Sequence, residues 1–360
     1  MSAIPHRLKM TSLRYLVVTL CVLSTPLFAQ KKGGDAKKVE VPHPFYWAIP
    51  DPIRGDWAGE PGFVAQIIRA DDRILSVENQ IANPADVGGY EAHIFHQFDM
   101  AHDKPVAVLT GRKRGDTINF AGGDWTGTLT DGHFKATAKT GESFDLQHVT
   151  RTPPTLGAPA PEGAIVLFDG TNFNEWAHRD AKNWLKADGP PTWHPIEGGA
   201  MEIAPNMGYL LTKRTFKAYK LHLEFRNVGG PTNSGVYLQC RYEANINEVY
   251  GSLTANPCTQ FDNCTEKSSN PGIRCSRPPL EWQTMDIEFH PAKLDAAGEV
   301  KTSAHATVYF NGVLYYNDQK IGPPKLNAAK YGEAESGPIM LQEHTMPCDF
   351  RNIWLVELPG

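Results

Sequence analysis

No C-x-x-C pair occurs in the 360 residues, although there are six cysteines, so the spacing that marks zinc ribbons and thiol redox motifs is missing. Positive charge is not in excess either: 35 Lys and Arg stand against 40 Asp and Glu, a formal charge of -5. With no overall basic field to draw in a polyanion, nucleic acid is excluded as the default partner. The apolar run from Tyr15 to Leu23 falls well short of the ~20 residues that a membrane-crossing helix needs, so no stable membrane insertion is expected. No internal repeat is present, which excludes solenoid and propeller arrays. Disorder is excluded for most of the chain, because 41% of residues are hydrophobic and only 21% charged. What is plentiful is Gly (32), Pro (28) and aromatic residues (10%), the composition of many turns and short strands with helix as the minor element. The length points to about two domains at ~100–200 residues each.

The N-terminus carries Arg7, Lys9 and Arg14 ahead of the apolar run, followed by Ser24, Thr25, Pro26 and Leu27-Phe28-Ala29. This is the pattern of a secretory signal peptide over residues 1–29, cleaved after Ala29, with Met10 as an alternative start. A lipoprotein signal wants a small residue before the modified cysteine, and Leu20 precedes Cys21, so a soluble secreted or periplasmic protein is expected. Cleavage removes three basic and no acidic residues, leaving 32 against 40 and a mature charge of -8. Of the five remaining cysteines, Cys258, Cys264 and Cys275 share one polar loop. In an oxidising compartment such a loop is expected to be pinned by a disulfide, and Cys240 and Cys348 complete an odd set that leaves one thiol unpaired.

Residues 30–41, with Lys31, Lys32, Lys37 and Lys38 around a Gly pair, read as a flexible tether. A second break is the Pro-rich linker 151–163, RTPPTLGAPAPEG, whose prolines cannot donate to a strand ladder. Between them, residues 42–150 predict a small all-β domain with strands over 62–68, 90–98, 106–111, 117–121, 125–130, 133–137 and 143–148. Gly122-Gly123 and Asp131-Gly132 supply hairpin turns. The aromatic cluster Phe45, Tyr46, Trp47 and Trp57 reads as core rather than as a sugar-stacking platform. Nothing in this half states a role.

Residues 164–360 are more informative. Leu221 to Arg226 alternates with period two, burying one face and presenting His222, Glu224 and Arg226 on the other. Residues 234–247 repeat the device, with Tyr237, Gln239, Arg241, Glu243 and Asn245 on the polar side. Trp282 to His290 places Trp282, Thr284, Asp286, Glu288 and His290 together, and His305 to Tyr309 does the same for His305, Thr307 and Tyr309 before an Asn311-Gly312 hairpin. Ile339 to His344 sets Gln342 and His344 outward. An all-β sandwich whose polar outer face binds something hydroxylated is the expectation.

Leu167-Phe168-Asp169-Gly170 with Trp176, Leu223-Glu224-Phe225-Arg226, Asn233-Ser234-Gly235-Val236, Arg241-Tyr242-Glu243, Glu281-Trp282-Gln283 with Asp286-Ile287, Asn311-Gly312, Leu341-Gln342 with His344, and Phe350-Arg351-Asn352-Ile353 occur in that order. The set resembles the 3-keto-disaccharide hydrolase family over roughly residues 164 to 358, and the resemblance implies a concanavalin-like jelly roll. The chain departs from the family pattern in the long cysteine-bearing loop from Ser252 to Pro279 and at Asn245 to Glu248. What the resemblance implies is an enzyme cleaving glycosides already oxidised at C3. A base removes the acidified C2 proton, the enolate expels the C1 leaving group, and water adds to the enone-like sugar. That chemistry needs a base, a cation or donors for the enolate oxygen, and an acid. Glu243 is the first candidate for base or metal ligand, with Asp286 and Glu288 next and His344 as proton donor. Glu224, Arg226, Gln239, Arg241, Trp282 and Gln342 are candidate contacts to the glycoside or oligosaccharide substrate, with Arg226 and Arg241 also candidates for stabilising the enolate. A divalent metal is a candidate cofactor, with His305 as a ligand.

Two other readings stay open on these residues. Asp286 and Glu288, two apart on one strand face, lie about 7 Å apart, a separation that permits the paired carboxylates of an ordinary glycosidase. Trp282, Tyr237 and Tyr309 also suit a non-catalytic carbohydrate-binding module.

Overall fold

The computed structural model describes residues 50–359, apart from 61, 71–87, 100–103, 204–205, 229–231, 254–257, 260, 262–272 and 345–346. The signal peptide, the tether, Phe45, Tyr46, Trp47 and Cys264 lie outside the described residues. Strand dominates as the composition requires, and residues His43–Gly360 belong to one compact unit.

The first eight strands close into an antiparallel barrel. They are β1 (Gly55–Glu60), β2 (Phe63–Arg69), β3 (Gly89–Phe95), β4 (Ala107–Arg114), β5 (Thr117–Gly122), β6 (Trp125–Thr130), β7 (His133–Ala138) and β8 (Ser143–Val149). Alternate residues point inward, so Ile118 and Phe120, Trp125 and Leu129, Phe134 and Ala136, and Phe144 and Leu146 fill the interior while their neighbours stay wetter. The Asp131-Gly132 turn joins β6 to β7 with positive φ at both residues (50° and 75°), as a two-residue hairpin requires. Strand β1 is absent from the sequence expectation. Its GDWAGE has little strand propensity, and it becomes a strand because pairing with β2 and β8 closes the barrel. Gly59 makes this possible, since a Cβ there would collide with the Asp145 carbonyl of β8. Trp57 of the aromatic cluster is core, its indole N–H donating to the Ile53 carbonyl at 2.9 Å.

The remaining strands build a sandwich of two sheets. They are β9 (Ile165–Phe168), β10 (Trp176–His178), β11 (His194–Ile196), β12 (Ala200–Ile203), β13 (Leu210–Thr212), β14 (Tyr219–Asn227), β15 (Asn233–Leu238), β16 (Tyr242–Asn247), β17 (Gln283–His290), β18 (Lys293–Leu294), β19 (Val300–Thr302), β20 (His305–Phe310), β21 (Val313–Lys320), β22 (Met340–Leu341) and β23 (Cys348–Glu357). One sheet has the order β10-β13-β22-β15-β16. The larger has the order β11-β12-β23-β14-β17-β20-β21, with β9 beside β23; β18 and β19 pair separately. Their facing sides share one core, including Leu221, Leu223 and Phe225 of β14, Val236 and Leu238 of β15, Ala244 and Ile246 of β16, and Met285, Ile287 and Phe289 of β17.

The Pro-rich segment is anchored at both ends. Arg151 donates to Asp56 (2.6 Å) and Asp99 (2.7 Å) of the barrel half, while Tyr250 and Arg277 of the sandwich half reach Asp56 and the Arg151 carbonyl at 2.9 and 2.8 Å. Beyond Arg151 the segment crosses the outer side of the larger sheet as a strap. The Thr155 hydroxyl donates to Asp286 at 2.7 Å, the Gly157 N–H donates to Glu224 at 2.6 Å, and the Ala158 carbonyl accepts from Asn352 at 2.9 Å.

Cys240, Cys258, Cys275 and Cys348 are buried and unbonded, so the expected disulfide is not formed among the described residues. Cys258 and Cys275 instead pack into the sandwich core as small apolar groups, and burial pushes the Cys258 thiol up to about 12. Among the described residues no helix is long and apolar enough to cross a membrane.

Candidate functional site

The polar residues that period-two alternation singles out do not share a face. The structure divides them between the outer sides of the two sheets.

On the larger sheet, His222, Glu224 and Asp286 lie beneath the strap. His222 donates from Nδ1 to Asp286 at 2.6 Å and stacks on Trp354 with ring centroids 4.8 Å apart. Glu224 is fully buried and accepts from Arg351 (2.6 Å), Asn352 (2.8 Å) and the Gly157 N–H. Burial alone depresses the His222 pKa, but hydrogen bonds to Asp286 and Glu224 outweigh it and raise it to about 8. Burial likewise raises the Glu224 pKa, yet its donors His222, Asn352, Gly157 and Arg351 bring it down to about 2. Every charge in this group has a partner, and the group holds the strap down.

The other expected residues on this sheet are also engaged. Arg226 pairs with Asp349 at 2.7 Å, and Trp282 lies between the Arg226 and Arg351 guanidiniums, 4.8 and 4.0 Å from its ring. Glu288 pairs with Lys220 (3.2 Å) and His290 (3.1 Å). His305 pairs with Asp318 and stacks on His290. It therefore stands on the opposite sheet from Glu243, and among the described residues no group of three or more His, Cys, Asp or Glu is arranged to hold a metal ion.

The smaller sheet carries Tyr237, Glu243, Gln342 and, just past its β22 strand, the exposed His344. Residues 234–247 form a hairpin in place of the single strand the alternation implies. Leu238 pairs with Tyr242, and the chain reverses through Gln239 and Cys240, both at positive φ (53° and 56°). This turn conformation normally selects Asn or Gly, so the sequence gives no warning of it. Arg241 holds the turn in place: its guanidinium donates to the carbonyls of Gly332 (2.8 Å) and Gln239 (2.9 Å), and Gln239 donates to the Phe216 carbonyl at 3.3 Å. Arg241 and the Gln239 amide nitrogen are thus committed to the backbone, while Gln239 Oε1 is buried with no hydrogen-bond partner among the described residues.

The reversal sets Tyr237 opposite Glu243. The Glu243 side chain lies across Gly235, where an added Cβ would sit 2.7 Å from Glu243 Oε1 and 3.3 Å from Gln342 Oε1, so only glycine admits the carboxyl here. Gln342 donates to the Tyr237 hydroxyl at 3.2 Å, and its own Oε1 is buried with no hydrogen-bond partner among the described residues. Beside these groups, Trp184 meets the Tyr237 ring edge-on at 5.6 Å, and its backbone N–H donates to the Tyr331 hydroxyl at 2.7 Å. Burial raises the Tyr209 phenol, the nearby Arg179 works against that shift, and Glu343 and Glu243 add to it. Arg179, which follows β10, escaped the sequence reading because it belongs to no alternating run. It is placed by its own N–H bond to the Tyr209 carbonyl at 3.0 Å.

A buried carboxylate, an amide and two phenols beside a guanidinium and an indole suit a sugar ring and its hydroxyls. A "putative glycosyl hydrolase" from Parabacteroides distasonis ATCC 8503 is 28% identical, covers 56% of this chain and 86% of its own, and superposes with a TM-score of 0.45. A second from the same organism is 15% identical over 55% and 95%, with a TM-score of 0.37. Carbohydrate-binding module CBM66 from Bacillus subtilis is 12% identical over 50% and 93%, with a TM-score of 0.29. Among curated proteins none matches. The model of the 3-keto-alpha-glucoside-1,2-lyase-like domain matches residues 163–356, more than half of the sequence and the whole sandwich up to its last strand. The chain is a carbohydrate-active enzyme or binder and belongs to the 3-keto-disaccharide hydrolase family.

Proposed function

We propose that the outer side of the smaller sheet is the active site of an exported enzyme that cleaves 3-keto-glycosides by elimination and hydration. The reading rests on one placement: the Glu243 carboxyl, buried against Gly235 beside Gln342 and Tyr237, in a chain of this family. In the proposed sequence Glu243 takes the C2 proton, and the C–H electron pair becomes the C2=C3 bond of an enolate. The enolate collapses to reform the C3 ketone, C1=C2 forms, and the C1–O bond breaks with a proton going to the departing oxygen. Water then adds its hydroxyl at C1 and a proton at C2, leaving the 3-keto sugar. A base held in a water-poor niche is worth about 10²- to 10⁴-fold in such a step. Exposed His344, two residues beyond Gln342, is the proposed proton carrier for the leaving group. The signal pattern of residues 1–29 supports export, with the enzyme working outside the cytoplasm.

The test supplies purified mature protein with a 3-keto-glucoside and with the unoxidised parent glycoside, each with and without chelator. Turnover of the keto-glucoside alone is expected. Turnover of the parent overturns the reading in favour of an ordinary glycosidase, and binding of either without turnover makes the chain a carbohydrate-binding module. Loss of turnover with chelator, restored by added divalent cation, identifies a metal requirement.

A further inference from the structure

The arginines of the sandwich half differ in what their guanidiniums touch. Arg214 pairs with Glu175, Arg226 with Asp349, and Arg351 with Glu224. Arg277 donates to the Cys275 and Arg151 carbonyls, and Arg241 to those of Gln239 and Gly332. Arg179 stands apart. Its Nε and Nη1 are buried with no hydrogen-bond partner among the described residues, and no carboxylate pairs with it there. It stacks instead on rings, with its Cζ 4.2 Å from the centre of Tyr209 and 5.2 Å from that of Trp184.

An arginine keeps its charge at any working pH, so it cannot escape this position by losing a proton. Stacking satisfies the flat face of the guanidinium and fixes its plane, but the N–H bonds lie in that plane and stacking leaves them unused. Two buried, oriented donors on a cation await an acceptor that carries negative charge. Their surroundings are those of the proposed site. Tyr209 feels the charges of both Arg179 and Glu243, and Trp184 touches Tyr237, which bonds Gln342.

We propose that Arg179 receives the oxyanion of this reaction, its Nε–H and Nη1–H donating to the C3 oxygen of the 3-keto sugar as Glu243 removes the C2 proton. The inference rests on the keto-glycoside reading and adds to it the group that stabilises the enolate. As the C2–H bond breaks, its electron pair forms C2=C3 and the C3=O π pair moves onto oxygen, so negative charge develops at one atom. The ketone is neutral in the bound substrate and anionic only later. Arg179 therefore binds the transition state more tightly than the ground state, and its loss falls on kcat more than on KM. It acts as a preorganised donor pair of the oxyanion-hole kind.

The experiment uses the mature protein, Arg179→Met and Arg179→Lys, with p-nitrophenyl 3-keto-α-glucoside as probe. Three quantities are measured: aglycone release as kcat and KM, wash-in of deuterium at C2 by proton NMR in D₂O, and thermal midpoint. Arg179→Met is expected to lower both kcat and C2 exchange by about 10²- to 10³-fold, the usual loss on removing an oxyanion donor, with KM changed less than about threefold. Added methylguanidinium is expected to restore part of both rates. Undiminished C2 exchange overturns the inference, as does a loss confined to KM, or a loss that methylguanidinium does not relieve. If Arg179→Met does not fold, Arg179→Lys carries the test under the same criteria, since it keeps the charge and loses the Nε–H and the fork. Wild-type protein that neither exchanges the C2 hydrogen nor releases aglycone defeats the keto-glycoside reading itself. Wild-type protein that does both, beside a variant that does both equally well, defeats only the role of Arg179.

Discussion

The His222–Glu224–Asp286 group on the larger sheet and the Glu243–Gln342–Arg179 group on the smaller are built from similar residue types and differ in whether those residues are already satisfied. On the larger sheet Glu224 accepts from Arg351, Asn352 and the backbone of the strap, and His222 and Asp286 bond each other. On the smaller sheet Gln342 Oε1 and two guanidinium nitrogens of Arg179 are buried without partners among the described residues. A complete network fixes structure, whereas an incomplete one leaves donors and acceptors for water or a ligand to complete. The contrast also explains the Pro-rich segment. Composition makes it a spacer, but its backbone and Thr155 supply the polar partners that the larger sheet's acidic residues need.

Four changes test this contrast. The largest effect is expected from Glu243→Gln, which should lower keto-glucoside turnover by about 10²- to 10⁴-fold in steady-state kinetics while moving the thermal midpoint little. Retained activity would shift the base elsewhere. Next is Glu224→Gln, which leaves Arg351 without its buried carboxylate and should cost about 3 kcal/mol in denaturant unfolding. If that variant is folded and inactive, the larger sheet takes part in the chemistry and the contrast breaks.

A third effect is in pH. The His222 pKa is raised from 6.5 to about 8, so its stabilisation is fully present below 6.5 and is lost as pH rises through 8, an effect of about 2 kcal/mol. Glu224 has the opposite sign: its pKa falls from 4.5 to about 2, so its contribution is present above 4.5 and lost as pH drops toward 2. Thermal midpoints of wild type and His222→Gln across pH 6 to 9 should therefore converge on the alkaline side. Parallel profiles would mean that His222 does not hold its proton in the folded state. The smallest effect is expected from Thr155→Val, about 1 kcal/mol from the lost bond to Asp286, with turnover unchanged.

Much of the fold was legible because alternation is a local signal. Seven of the eight barrel strands lie where the apolar residues alternate, and β14, β17 and β20 bury the sides that the period-two pattern assigns to the core. Strand β1 was not legible, since its pairing is created by barrel closure. The Gln239-Cys240 reversal was hidden because Arg241 and the close approach of Gly337 sustain a turn that its own residues disfavour. In the candidate site, Glu243, Gln342 and His344 were visible as polar positions on alternating strands. Arg179 was not, because it forms only an isolated bridge, to Ala187, beyond a three-residue strand too short to show a period.

Taken alone, the sequence determined the all-β architecture, the family, and which residues of the alternating strands turn away from the core. Those properties follow from side-chain spacing along one strand. Only the tertiary structure decided which outward residues share a face and which already have partners. Period two separates inside from outside within each strand, but sheet assignment depends on pairings between residues as far apart as Glu224 and Arg351, and partner supply depends on a strap folded back from another part of the chain.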